Sequence, residues 1–539
     1  MLFFYIPRRS VSYKEQSVLK DPTIRIFWAA LMIHVTAWTV MCWLTQPNLP
    51  LDMVEMTYWG EQWQWGYHKH PPLPAWIAAS VWELSARQPI AMYLCAQLTI
   101  AATFWAVWQL AREGLEPWLA LCAVGALQAC YYCTYTISDL NNTIVARPFW
   151  ALAILFLYRA TKPQTSKTLL WWSLTGVMVG LGMLSKYSLG LMVISMAAIP
   201  ILLPHARAQL KTVGPWCMTV IALGIFSPHI YWMFQNDFVT LEYVVQRSNA
   251  SDGHSWLSHL LSPLKFLISQ TGAWLPILLV ALPLLSLPSI RQSMSAIRKG
   301  SGQSYFRSYL LIVVGVPILF CFCAAAITGA NIRSMWGGSL FSFWGLLLIE
   351  LSKDACGEFR RSETVKIVLR NSCIAATVML LGLFIRNGLG PLMRDDFSRI
   401  HFPGQALCEE VHRRWEQRVD TPLPVIGGAM FPAGCAVVYS DRRIDVFSDA
   451  SEKQNPWLND ATVAQSGAVF VWEIEELGAA PPADWLRRFP RAQLMEPFVC
   501  SAEGLAADRN AEVGMVFIPP ENLKLRTAET PSLRQTKKF

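Results

Sequence analysis

Long apolar runs separated by short polar gaps dominate the first three quarters of the chain. A helix needs about 20 apolar residues to cross a bilayer. About eleven segments approach that length, near 26–45, 89–110, 116–136, 143–160, 168–184, 188–204, 214–234, 272–290, 309–328, 334–351 and 371–388. With the N-terminus inside, every second gap is basic. These gaps hold Arg112; then Arg159, Lys162 and Lys167; then Arg207 and Lys211; then Arg291, Arg298, Lys299 and Arg307; then Lys353, Arg360, Arg361, Lys366 and Arg370. The opposite gaps are acidic, polar or short, apart from isolated cations such as Lys186 and Arg333. This alternation is the charge asymmetry that orients membrane proteins, and an odd count of spans places the C-terminal region outside.

Two parts of the chain depart from the pattern. Pro72–Ala86 is apolar but about half a span long, which predicts an amphipathic helix on the outer surface with Trp76 and Trp82 at the interface. From about residue 389 the chain becomes charged and proline-punctuated. Leu407, Val411 and Trp415 fall at helical spacing within Gly404–Arg418, and Pro424–Ile426, Cys435–Tyr439, Ile444–Phe447, Ala468–Trp472 and Gly514–Ile518 read as short buried strands. The expected architecture is a polytopic α-helical membrane protein followed by a small soluble α/β domain. Its parts are an N-terminal cytoplasmic tail over 1–25, a membrane domain over 26–388 with outer-face loops 46–88 and 235–262, and the soluble domain over 389–539.

Composition agrees. Of 539 residues, 53% are hydrophobic and only 15% charged, with 24 tryptophans, a polytopic membrane balance. The net charge of +8 is spread through the gaps, and no basic stripe interleaved with aromatics points to nucleic acid. Most of the 13 cysteines lie in apolar segments, where packing is the default role. Cys130 and Cys133 have CxxC spacing but sit within an apolar run. Cys408, Cys435 and Cys500 leave a disulfide open, with one cysteine over.

The chemistry concentrates in Leu51–Pro74, LDMVEMTYWGEQWQWGYHKHPPLP. This one loop gathers Asp52, Glu55, Glu61, Tyr67 and the His68-Lys69-His70 cluster beside the first span. Ionisable groups near apolar helices cost desolvation unless they are paired or working. Asp52 and Glu55 are three apart and share a face if helical, and a carboxylate there can serve as a general base. Asp139 is a second acid at the same depth, or the N-cap of the next span. Lys186, in the turn Gly182–Gly190, suits a phosphate. Arg147, one turn inside the fourth span, needs an anionic partner, either Asp139 or a lipid phosphate. His68, His70, His254 and His259 leave a divalent cation open, but their spacing matches no zinc motif.

These residues resemble the GT-C glycosyltransferases that use polyprenyl-phosphate sugars, the group of protein O-mannosyltransferases and the aminoarabinose transferase of lipid A. The likeness covers about residues 20–390. It is carried by the acids after the first span, by Gly66-Tyr67-His68-Lys69-His70-Pro71-Pro72-Leu73 and by the turn Gly182–Lys186. Leu51–Trp76, His401-Phe402-Pro403-Gly404 and Pro422–Gly428 look similar to bacterial members of the rhizobial lipopolysaccharide galacturonosyltransferase kind.

The resemblance implies an inverting transferase that moves a sugar from a polyprenyl-phosphate donor to a lipid A or lipopolysaccharide-core acceptor, on the periplasmic face of a bacterial inner membrane. It implies Asp52 as base, Lys186 on the donor phosphate, and His70-Pro71-Pro72 shaping the donor site. Asp139, Tyr67, His254 and His259 are carried as substrate-binding candidates. Where the family often has Lys before the two prolines, this chain has His70 with Lys69 one place earlier, so either can face the phosphate. Many relatives hold the two acids side by side, whereas Met53 and Val54 separate Asp52 from Glu55; both are carried as catalytic candidates, with the part of Glu55 open.

The rival readings are a protein O-mannosyltransferase and a transporter or flippase of lipid-linked sugars. A transporter is expected to show an internal repeat and mid-membrane polar sites, and neither is visible in the sequence.

Overall fold

The computed structural model describes residues 21–163, 166–249, 256–284, 305–353, 358–393, 398–502 and 510–523. His254, the tail cations Arg8, Arg9, Lys14 and Lys20, and Arg291, Arg298 and Lys299 lie outside them. The described chain divides into two compact units. One comprises residues 1–45, 88–231 and 242–386; the other comprises 46–87, 232–241 and 387–539.

The first unit is helical. Among the described residues, eight helices are long and apolar enough to cross a membrane. The segment 116–136 is instead a broken pair, Pro117–Ala129 and Tyr131–Ile137, bent by 89°. The segments 168–184 and 188–204 become the shorter apolar helices Thr168–Met183 and Tyr187–Leu202. The apolar periodicity therefore locates the helices, while the number that cross depends on how these three are counted. Two polar side chains inside this unit find partners on neighbouring segments, which offsets the cost of placing them among apolar helices. Buried His34, midway along Pro22–Thr45, meets Gln128 Oε1 through Nδ1 at 3.0 Å, and Gln97 donates to the Ile137 carbonyl at 2.8 Å.

The second unit carries a six-stranded sheet covered by helices. Helix α1 (Leu51–Gly60) and helix α2 (Leu73–Leu84) come from the segment between the first two spans. Helix α3 (Gly404–Glu416) buries Leu407, Val411 and Trp415, as their spacing predicts. The strands are β1 (Val425–Gly428), β2 (Asp445–Ser448), β3 (Ala468–Glu473), β4 (Gln493–Leu494), β5 (Phe498–Ser501) and β6 (Asn510–Ile518). Their order is β2-β1-β3-β6-β4, with β5 also on β6. β1 is parallel to β2 and β3, and β6 runs antiparallel to β3, β4 and β5. Phe447, Phe470, Trp472, Trp485 and Val516 fill the core on one face.

Cys435–Tyr439 is not a strand. Met430–Val438 forms helix α4, because a short apolar run satisfies either period and packing against α1 decides it. Gly434 makes that packing close: a methyl there would sit 2.8 Å from Val54 Cγ1 and 3.0 Å from the Tyr58 ring. The segment 46–87 is tied to residues 387–523 throughout. Asn48 donates to the Arg399 carbonyl at 2.9 Å, and the Leu49 amide donates to the Tyr439 hydroxyl at 2.8 Å. Gln62 donates to Asp445 at 2.8 Å. Trp82 is not an interfacial residue: it is buried, and its indole donates to the Val438 carbonyl at 3.2 Å. Cys408, Cys435 and Cys500 are free thiols.

Candidate active site

In the second unit, α1 places two acids one turn apart. Asp52 lies in its first turn, where the helix dipole favours a negative charge. Glu55 follows and is only 6% exposed. Its carboxylate accepts from Lys69 Nζ at 2.6 Å. Lys69 also lies 3.4 Å from Met430 Sδ and 5.9 Å from the centroid of the Trp59 ring. Burial pushes the Glu55 carboxyl up to about 7; Lys69 opposes this, and Asp52 and Asp449 add to it. A buried pair of this kind adds little net stability, but losing one partner strands the other charge.

The Gly66–Leu73 stretch holds Lys69 in place. Tyr67 and His70 exchange backbone bonds, amide to carbonyl, at 3.1 and 3.3 Å. Tyr67 is buried and stacks on Trp59 with ring centroids 5.4 Å apart and planes 3° from parallel. Gly66 is needed because a methyl there would meet the Trp232 ring at 2.3 Å. Trp59 is thus a packing residue rather than part of an interfacial belt, whereas Trp63 and Trp65 are exposed. Lys69 is thus held by Glu55. The structure also adds Asp449, which lies next to β2 in left-handed backbone and accepts from the Met430 amide at 3.2 Å. Nothing in the local pattern around Asp449 distinguishes it from an ordinary turn residue.

In the first unit, Lys186 and Arg147 meet through the helix Asn142–Thr161. Lys186 is largely buried and donates to Thr143 Oγ1. Arg147 lies four residues beyond Thr143 and so on the same face. It is 1% exposed, and its guanidinium donates to the Tyr132 carbonyl. Among the described residues it has no carboxylate partner, so Asp139 is not the counterion. Asp139 instead receives Asn141 Nδ2 at 3.5 Å. The N-cap is Asn141, which accepts from the Thr143 and Ile144 amides at 2.9 and 3.1 Å. Two cations near the positive end of this capped helix are suited to an anion.

His259 Nδ1 lies 3.0 Å from the Ala326 carbonyl, in the first unit, while His68 and His70 belong to the second. Among the described residues no group of three or more His, Cys, Asp or Glu side chains is arranged to hold a metal. Asp52 belongs to the second unit and Lys186 to the first.

Residues 69–232 match the family described as dolichyl-phosphate-mannose-protein mannosyltransferase. The lipopolysaccharide core galacturonosyltransferase RgtB of Rhizobium johnstonii is 22% identical over 458 residues, 82% of this chain and 87% of that protein. The lipid A galacturonosyltransferase RgtD of the same organism is 22% identical over 377 residues, 66% of this chain and 72% of that protein. Among solved structures, ArnT from Cupriavidus metallidurans bound to undecaprenyl phosphate superposes with a TM-score of 0.62 at 13% identity, covering 93% of this chain and 99% of that one.

Proposed function

We propose that this chain is a GT-C glycosyltransferase using a lipid-phosphate sugar, an inverting enzyme that transfers its sugar to an envelope glycolipid of the lipid A or lipopolysaccharide-core class. The observation that carries the proposal is that Lys186, through Thr143, and Arg147 both sit at the start of the helix Asn142–Thr161, which gives two cations for a phosphate. The relatives' acceptors, lipid A and the lipopolysaccharide core, supply the acceptor class.

The chemistry is one displacement. The acceptor hydroxyl attacks the anomeric carbon, the bond from that carbon to the phosphate oxygen breaks, and the hydroxyl proton passes to Asp52. The leaving phosphate is already anionic, so Lys186 and Arg147 need only stabilise the charge it gains. Because Lys69 occupies Glu55, the base assignment goes to Asp52, and His70 is the donor-side member of the His-Lys-His cluster.

The same reading takes all eleven apolar segments as crossing, with the active site and residues 389–539 periplasmic in a bacterial inner membrane. The largely helical state of the described residues in these segments supports it. No cofactor is required by this mechanism, and a divalent cation stays open. The family match to protein mannosyltransferases supports a second acceptor, a polypeptide hydroxyl.

The test is transfer from a radiolabelled polyprenyl-phosphate sugar by purified protein in detergent. Label in glycolipid supports the proposal, label in polypeptide supports the second reading, and label in neither removes both. Asp52→Asn should retain membrane insertion and lose transfer by about three orders of magnitude, as expected when a general base is removed. Wild-type turnover in that variant rules Asp52 out.

A further inference from the structure

At the far end of α1 from Asp52 lies a recess of about 440 Å³ that the mechanism does not use. It is built wholly within the second unit. Its walls include Glu61, Trp63, Ser80, Glu83, Arg87 and Arg443. We propose that this recess is a saccharide subsite that holds a sugar of the acceptor headgroup distant from the reacting hydroxyl; this rests on the glycolipid-acceptor reading above.

Three observations converge. First, the composition of the walls suits a sugar ring, which offers an apolar C–H face and a rim of hydroxyls. The Trp63 indole is 57% exposed and offers a flat apolar surface. The carboxylates accept and the guanidiniums donate in planar, two-pronged geometry. Arg87 is braced by Glu83 at 2.8 Å, and Arg443 donates to the Glu61 carbonyl at 2.7 Å, so the donors are fixed before a ligand arrives.

Second, the backbone around the recess is left-handed at three residues that are not glycine. Trp63, Ala86 and Arg87 have φ of 48°, 52° and 62°. Bulky residues adopt that region at a cost, and such outliers gather where a side chain must be aimed. The end of α2 is held in this form by the Arg87 amide donating to the Trp82 carbonyl at 2.8 Å.

Third, Glu61 caps the C-terminal end of α1, where the helix dipole disfavours a carboxylate. Burial pushes it up to about 7, with Glu83 and Asp445 adding to the rise and Arg87 and Arg443 opposing it. A carboxyl placed against both burial and dipole is poorly explained as a solvated turn residue.

The separation sets which sugar it takes. Glu61 is nine residues beyond Asp52, about 13 Å at 1.5 Å per residue. That span exceeds one pyranose ring, so the ring bearing the attacking hydroxyl cannot fill both places. An acceptor with several sugars can.

The experiment uses the full-length protein in lipid nanodiscs. The probe is the lipid-free core oligosaccharide released by mild acid from a rough-strain lipopolysaccharide, titrated by calorimetry. Trp63→Gly removes the indole and relaxes its backbone, and Glu61→Gln keeps the shape of the side chain. Both should weaken oligosaccharide binding and raise acceptor KM by about tenfold with kcat within about twofold, the signature of lost ground-state contact. Wild-type affinity and acceptor KM in both variants overturn the subsite while leaving transfer itself intact, and so do variants that lose only thermal stability, as an interfacial belt residue would. If the wild-type protein transfers to no glycolipid, the acceptor reading fails, and the oligosaccharide titration alone then decides whether the recess binds sugar.

Discussion

Glu55→Gln separates the two acids of α1. The wild-type carboxyl is buried beside Lys69 and titrates near 7 when folded, against a model-peptide value of 4.5. Because the folded value is raised, the folded state binds the proton more tightly. The stabilisation is complete below pH 4.5 and is lost as pH rises through 7. Between pH 5 and pH 8 those two values correspond to a loss of about 2.5 kcal/mol. The second unit spans about 200 residues, for which each kcal/mol moves the unfolding midpoint by about 2–4 °C. The expected fall is therefore about 5–10 °C, read by tryptophan emission during thermal unfolding in nanodiscs at the two pH values. Glu55→Gln should remove that share of the slope. Glu61 and Glu473, also raised to about 7 by burial, keep a residual slope in place. If Glu55 serves to hold Lys69, the variant should keep transfer within about tenfold of wild type, while Asp52→Asn loses it. An unchanged pH slope refutes burial as the cause of the Glu55 shift. A loss of transfer as deep as that of Asp52→Asn refutes the division of roles and makes Glu55 the base.

Other expectations follow from the same contacts. Lys186→Ala should raise donor KM by about 10- to 100-fold, the worth of a charged hydrogen bond to phosphate, with unchanged donor KM excluding Lys186 from the donor site. Thr143→Val, which removes only the hydroxyl that holds Lys186, should raise donor KM by a smaller factor, and an effect larger than that of Lys186→Ala would show that Thr143 has a role of its own. Gly434→Val should destabilise the second unit by about 1–3 kcal/mol through overpacking on Val54 and Tyr58, measured as a lower unfolding midpoint at fixed pH. Truncation after residue 388 should abolish transfer even where the spans insert, because α1 loses the helix and sheet it packs on; retained activity would show that α1 holds its place without them.

Eight long apolar helices were legible because a run of about 20 apolar residues has few other uses, whereas the bend at Cys130 was not, since a broken helix and a straight one share a composition. Leu407, Val411 and Trp415 revealed their helix through spacing. Cys435–Tyr439 did not, because the deciding contact, Gly434 on Tyr58, joins residues far apart in sequence. The same limit hid Asp449, and it pointed to Asp139 as a cap that Asn141, two residues on and chemically alike, provides. The Asp52–Glu55 pair could be read from the chain, but the clasp of Lys69 on Glu55 depends on how the Gly66–Leu73 turn folds back.

The packing of α1 on α4 has a consequence for how the protein is made. Residues 46–87 leave the ribosome early, yet the chain they build upon begins roughly 300 residues later, about 15–60 s at ordinary synthesis rates. During that interval the side of α1 that carries Val54 and Tyr58 is without the helix it packs on. The newborn polypeptide must therefore carry an unfinished, adhesive segment while roughly 300 further residues are made, and a late portion completes an early one.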